Sequence, residues 1–205
     1  MEGLAIRKAI VSDTDRIAEL FGGDPGEEAS GIAGSRDKAI AFGTGMVRLP
    51  DGPQSWRHTV IAELDGRVVG ILMAGGDRKD VRVTPRLVYL ALATFGPLGI
   101  LRLLTRLRAR VRVQPKIPNG AFHLAEIDVD PAYRNQGIGG ALLGYAEAEA
   151  RAAGYRLISL TTSTANPARR LYERNGFRIV ATKTDPAYKR YTRIDGRHLM
   201  VKELG

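Results

Sequence analysis

One eight-residue turn, Arg134-Asn135-Gln136-Gly137-Ile138-Gly139-Gly140-Ala141, constrains this chain more than any other segment. It follows a run of β composition at residues 121–129 and opens an amphipathic stretch at 137–153, where Leu142, Leu143 and Ala146 are spaced to pack inward. Glycines at a strand-to-helix junction let an anion come close to the backbone. The first free N–H groups and the positive end of the helix dipole then stabilise a pyrophosphate. Arg134 adds a full positive charge. Two other phosphate motifs fail: a dinucleotide fingerprint needs glycine where Leu142 stands, and a P-loop needs a Gly-Lys-Ser or Gly-Lys-Thr that the chain lacks.

The 205 residues suit a single domain, 1–205, with a substantial insertion at 77–118. Residues 4–8 alternate as a short strand, and Ser12 or Asp13 stands where an N-cap opens a helix running to Leu20. Residues 22–34 read as a loop, and 35–42 as a helical piece with Ile40 and Phe42 inward. Two β-prone runs, 58–64 and 68–74, flank Asp65-Gly66-Arg67 and predict an antiparallel hairpin. After the 121–153 unit come a strand at 157–162, a short helix at 167–175 ended by Gly176, a strand at 177–182 and a last strand at 198–202.

Beyond the glycine turn stands a second motif, Asn166-Pro167-Ala168-Arg169-Arg170-Leu171-Tyr172-Glu173-Arg174-Asn175-Gly176-Phe177. Together the two resemble the GNAT superfamily of N-acetyltransferases: an Arg-x-x-Gly-x-Gly turn after a strand, then Asn, Ala and a Leu-Tyr-Glu helix closed by Gly-Phe. The resemblance covers residues 123–180. It implies an α/β (α+β) fold, a mixed, mostly antiparallel central sheet flanked by helices. It also implies acetyl-coenzyme A as co-substrate, with no metal, and a primary amine of a small molecule or peptide as acceptor. A non-enzymatic acetyl-coenzyme A sensor is the alternative.

Residue by residue, the resemblance implies that the backbone of Ile127, Asp128 and Val129 pairs with the pantetheine arm. Arg134 and the turn through Asn135, Gln136, Gly137, Ile138, Gly139 and Gly140 hold the pyrophosphate, and Ala141 is small enough for close approach. Asn166 bonds the arm, and Arg169 lies near the outer phosphates or on a solvated helix face. Tyr172 matches the general acid, since a phenol near the sulfur donates a proton as the thiolate leaves. The amine must also lose a proton, because at a pKa of ~10.4 only about one in a thousand is neutral at about pH 7.4. His123 is one candidate base, on the face of Ala125, Ile127 and Val129 by alternation. Glu126 is the other, facing away unless a bulge re-aims it. His58 and His198 read as structural.

Composition narrows the remainder. With no cysteine, thiol nucleophiles, thiolate metal sites and disulfides are excluded, and three histidines leave little for a metal. The N-terminal residues carry charge and no long apolar run, which makes the cytoplasm the expected compartment. Residues 78–116 hold ten basic residues against one acid, Asp80, a surplus equal to the +9 of the whole chain. The apolar run 87–104 is broken by Gly96-Pro97, Gly99 and Arg102 and reads as non-spanning. Within it, 98–108 has helical character with Ile100, Leu104 and Leu107 near one face. Three roles fit the insertion: an inserted helix or homodimer contact, a lid with an apolar wall and basic rim, or attachment to a membrane surface or nucleic acid.

Overall fold

A computed structural model of the chain describes residues 3–51, 54–75 and 83–205. Arg78, Lys79, Asp80 and Arg82 of the basic insertion lie outside the described residues. Strands β1 (Leu4–Lys8), β2 (Thr59–Leu64), β3 (Arg67–Gly75), β4 (Ala121–Val129), β5 (Leu157–Ser163), β6 (Arg178–Thr184) and β7 (Gly196–Glu203) form one sheet in the order β1-β2-β3-β4-β5-β7-β6. Every neighbouring pair is antiparallel except β4 and β5. The expected mixed, mostly antiparallel sheet is what forms. The β2–β3 turn places Asp65 and Gly66 at φ of 49° and 78°, the left-handed pair that suits a two-residue hairpin.

Side-chain alternation gives the sheet two covered faces. On one, Leu72, Leu124, Ile158, Leu160 and Met200 pack under α5 (Ile138–Ala152), whose Leu142, Leu143 and Ala146 are buried as their spacing predicts. On the other, Ile61, Ile71 and Met73 meet Ile17 and Ala18 of α1 (Thr14–Gly22) and Val47 of α3 (Arg36–Arg48). Asp13 precedes α1, but its carboxylate accepts from the Ile10 amide at 2.8 Å and from Arg7 at 2.7 Å and so caps no first-turn amide of α1.

Several expectations change. Residues 22–34 are not all loop: α2 (Glu27–Ala33) lies there, ended by Gly34 at φ 91°. Helix α3 runs well past Phe42. Phe42 meets Phe95 edge-on, while Ile40 is only partly buried. The insertion is one long element, α4 (Pro85–Arg112), kinked where Gly96 takes φ 67° and ψ 170° before Pro97. Ile100, Leu104 and Leu107 do lie along one side of the helix, with Ile100 packed near Phe95 while Leu104 and Leu107 are 48% and 39% exposed. By length and composition α4 is also able to cross a membrane. Two further helices, α6 (Arg169–Arg174) and α7 (Pro186–Thr192), complete the domain, and α7 occupies a stretch that carries no strong periodic signal.

Leu142 is fully buried between α5 and the sheet. Truncating it leaves a cavity beneath the glycine turn, so Leu142→Ala is expected to lower stability by roughly 2–5 kcal/mol, read as a reduced urea midpoint at unchanged slope.

Candidate active site

The site begins where β4 and β5 part. Their parallel pairing covers only Ala121↔Leu157 through Leu124↔Leu160. Beyond it β4 stays paired to β3 as far as Val129, and β5 stays paired to β7 as far as Ser163. A wedge therefore opens in the middle of the sheet, leaving one edge of residues 126–129 unpaired with β5. A cavity of about 870 Å³ fills the wedge.

The register of β4 shifts at the same place. Glu126 pairs with Met73 and Leu124 with Ala74, so Ala125 is an extra residue, a bulge. Simple alternation puts Glu126 on the face opposite His123, and the bulge reverses this. Ile127 and Val129 join Leu124 beneath α5, and Glu126 and Asp128 turn toward the cavity. His123, on the same side, makes a 3.0 Å contact through Nδ1 with Ser159 Oγ and is not among the cavity-lining residues.

At the end of β4 the chain turns through Asn135 and Gly137, both left-handed at φ 63° and 83°, into α5. Gly137 is the N-cap, and no side chain caps the helix. The first-turn amides at Ile138, Gly139 and Gly140 thus face outward along the axis. A Cβ at Gly139 would come within 2.8 Å of Leu171 Cδ2, so α5 and α6 approach closely there, and a larger residue would push the Leu171 side chain aside. Arg134 folds back, its Nε donating to the Val129 carbonyl at 3.0 Å and its Nη2 lying 3.4 Å from Asp128 Oδ1. Gln136 Nε2 donates to Ala132 O at 3.4 Å. Asp130 accepts from the Ala132 amide and from Arg16, tying the turn to α1.

Tyr172 and Asn166 reach the cavity from the far side. Tyr172 is 6% exposed and packs edge-on against Phe177. Asn166 donates to Thr162 Oγ1 and accepts from the Ala168 amide, both at 2.8 Å, so its amide also shapes the loop into α6. Arg169 lies outside the cavity, half-exposed, with Nε 3.4 Å from Glu173. His198 contacts Thr182 on the β6–β7 ladder, and burial and then Arg169 hold its pKa below the ordinary value.

An ion cluster that the sequence did not announce closes the wedge. Arg197 of β7 donates to both oxygens of Glu28 at 2.5 Å and to the Thr161 carbonyl at 2.8 Å. Arg110 of α4 meets the same Glu28 at 2.7 Å. Glu28 sits in the segment read as loop and Arg110 among many insertion arginines, so no local signal singled out either. The rest of this end is apolar, with Phe21, Phe42, Met46, Phe95 and Leu103.

These surroundings set the proton affinities. Burial, and then the charge of Asp128, pushes the Glu126 carboxyl up to about 7. Burial, with Glu126 and Asp128 behind it, holds the Tyr172 phenol well above its usual range. The cavity therefore carries a carboxylate that titrates near neutrality and a phenol that keeps its proton, an acid and base pair.

The acetyltransferase (GNAT) family model matches residues 35–177. The chain belongs to the GNAT acetyltransferase family. Solved structures share the GNAT fold across almost the whole length. One is an acetyltransferase, 22% identical over 98% of this chain and 100% of that one, with a TM-score of 0.62. A second is an N-acetyltransferase from Staphylococcus aureus Mu50, 17% identical over 96% and 99%, with a TM-score of 0.60. A third is the PaiA N-acetyltransferase from Thermoplasma acidophilum, solved in complex with coenzyme A, 17% identical over 98% of each chain with a TM-score of 0.56. No curated protein matches the sequence.

In this GNAT chain the buried Glu126 makes a measurable demand on stability. The folded-state pKa of Glu126 is raised from 4.5 to about 7, so its burial costs nothing below the lower value and destabilises progressively as pH rises through that window. Glu126→Gln is expected to leave thermal stability unchanged near pH ~4 and to raise it by up to roughly 3 kcal/mol near pH ~8, checked by melting curves across pH.

Proposed function

We propose that this GNAT protein is an acetyl-coenzyme A-dependent N-acetyltransferase, transferring acetyl to a primary amine of a small molecule or peptide by direct attack on the thioester. One observation carries the reading. The unpaired edge of β4 and the Glu126–Tyr172 pair meet at one wedge, and the glycine turn into α5 follows directly from the end of that same strand edge. An extended pantetheine arm suits the free strand edge by β-type pairing, and the turn's amides with Arg134 suit the pyrophosphate. Engaging phosphate would draw Arg134 away from the Val129 carbonyl it now binds.

Glu126 is the better-placed base, because the bulge turns it into the cavity and burial poises it near neutrality. It takes a proton from the ammonium form, and the free amine attacks the thioester carbonyl. As the tetrahedral adduct collapses, Tyr172 gives its proton to the departing thiolate and is reprotonated by the second proton that the nitrogen sheds, leaving amide and free thiol. A phenol held high by burial remains protonated until that moment. No cysteine is available to form an acyl-enzyme, which favours attack by the acceptor itself. The apolar wall of Phe21, Phe42, Met46 and Phe95 favours an amine on an aliphatic or aromatic body.

The test is calorimetric titration with acetyl-coenzyme A, followed by free-thiol release across a panel of amines. Saturable binding with amine-dependent release is expected. Binding without release over a broad panel points to the sensor, and absence of binding overturns the reading. With a working amine, Tyr172→Phe is expected to lower kcat by roughly 10²–10⁴-fold. Glu126→Gln should remove the acid limb of the pH–rate profile centred near 7, whereas His123→Ala should keep it. The opposite pattern would return the base to His123.

A further inference from the structure

Exposed apolar side chains are concentrated on one element. Of the thirteen large apolar residues exposed among the described residues, eight lie on α4, including Tyr89 and Leu98 at 75% and Leu101 at 64%. Scattered exposure needs no explanation, but a run along one helix does. Helical spacing sorts the outer surface. Val88 and Leu92 share a face before the kink, and Leu101, Leu104, Arg108 and Val111 share one after it. From Val83 to Gly120 the sequence holds six arginines and a lysine and no acid. Among the described residues, Arg102 and Arg108 have no ion-pair partner, unlike Arg110 and Arg112.

We propose that the outer face of α4 docks this protein on an anionic bilayer surface. Apolar side chains interleaved with long cations are what a lipid interface accepts: Leu101, Leu104 and Val111 enter the acyl boundary while Arg102 and Arg108 reach lipid phosphates. A second copy of the chain fits less well, since on a two-fold axis α4 would meet its own arginines with no carboxylate of α4 to receive them. The helix lies on the membrane and does not cross it. Its inner face is committed to the domain through buried Phe95, Ala109 and Val113, and through Arg110 to Glu28 and Arg112 to Asp185. Pulling it through a bilayer would break those contacts and carry the C-terminal arginines into hydrocarbon. Because Phe95 and Leu103 also line the cavity, docking sets the apolar end of the cavity close to the lipid headgroups.

The full-length protein is to be co-sedimented with phosphatidylcholine vesicles prepared with and without phosphatidylglycerol. Binding that requires phosphatidylglycerol and weakens with added salt is expected. Leu101→Glu with Leu104→Glu, and separately Arg102→Gln with Arg108→Gln, should each weaken it by roughly tenfold or more, with circular dichroism unchanged. Failure to sediment with anionic vesicles at low salt overturns the proposal. So does binding to duplex DNA that survives the leucine pair while vesicle binding is absent. A dimer by light scattering that the leucine pair dissolves, again without vesicle binding, assigns the face to a second copy. Retention on vesicles through an alkaline carbonate wash would mean that α4 spans.

Discussion

Backbone N–H and C=O groups inside a sheet must be paired, and a central strand that stops pairing half-way creates a demand the fold has to meet. In this protein the pairing of β4 with β5 stops at Leu124↔Leu160, and the candidate site is arranged about that interruption. Arg197 reaches into the gap to satisfy the Thr161 carbonyl, and in doing so it brings a buried cation that needs Glu28. Glu28 in turn holds Arg110, so the helix of the insertion is fastened to the sheet through an opening in it. The bulge at Ala125 works in the same region, giving β4 an acidic side toward the gap and an apolar side toward α5.

Much of this was legible in the residues. The glycine turn, the α5 stripe and the Leu171-Tyr172 helix are local patterns, and local patterns survive folding because period and capping decide them. The side of β4 that faces the cavity was less accessible. Alternation pointed to His123, and only a one-residue register shift against β3 turns Glu126 inward. Such a shift depends on two strands far apart in sequence and leaves no mark in either. The ion cluster was hidden for a similar reason, since Glu28, Arg110 and Arg197 come from three distant segments. Helix α2 was obscured by its glycine- and proline-containing surroundings, although Gly34 ends it in the usual left-handed way.

Burial around the wedge acts in opposite senses on neighbouring groups. It raises the Glu126 carboxyl into the physiological range and keeps Tyr172 protonated, while Arg197 remains matched by Glu28. The same desolvation that costs stability at Glu126 makes it responsive to pH near neutrality, as the proposed role of base requires. Helix α4 contributes to both environments, since it walls the cavity with Phe95 and Leu103 and presents Leu101 and Leu104 outward.

The kink at Gly96 decouples the two halves of α4 in register. In an unbroken helix, inserting or deleting one residue rotates all that follows by about 100°. Here the left-handed glycine interrupts that transmission between residues 85–95 and the segment carrying Leu103 and Arg110. The first half can therefore change length or drift in sequence without swinging Arg110 away from Glu28.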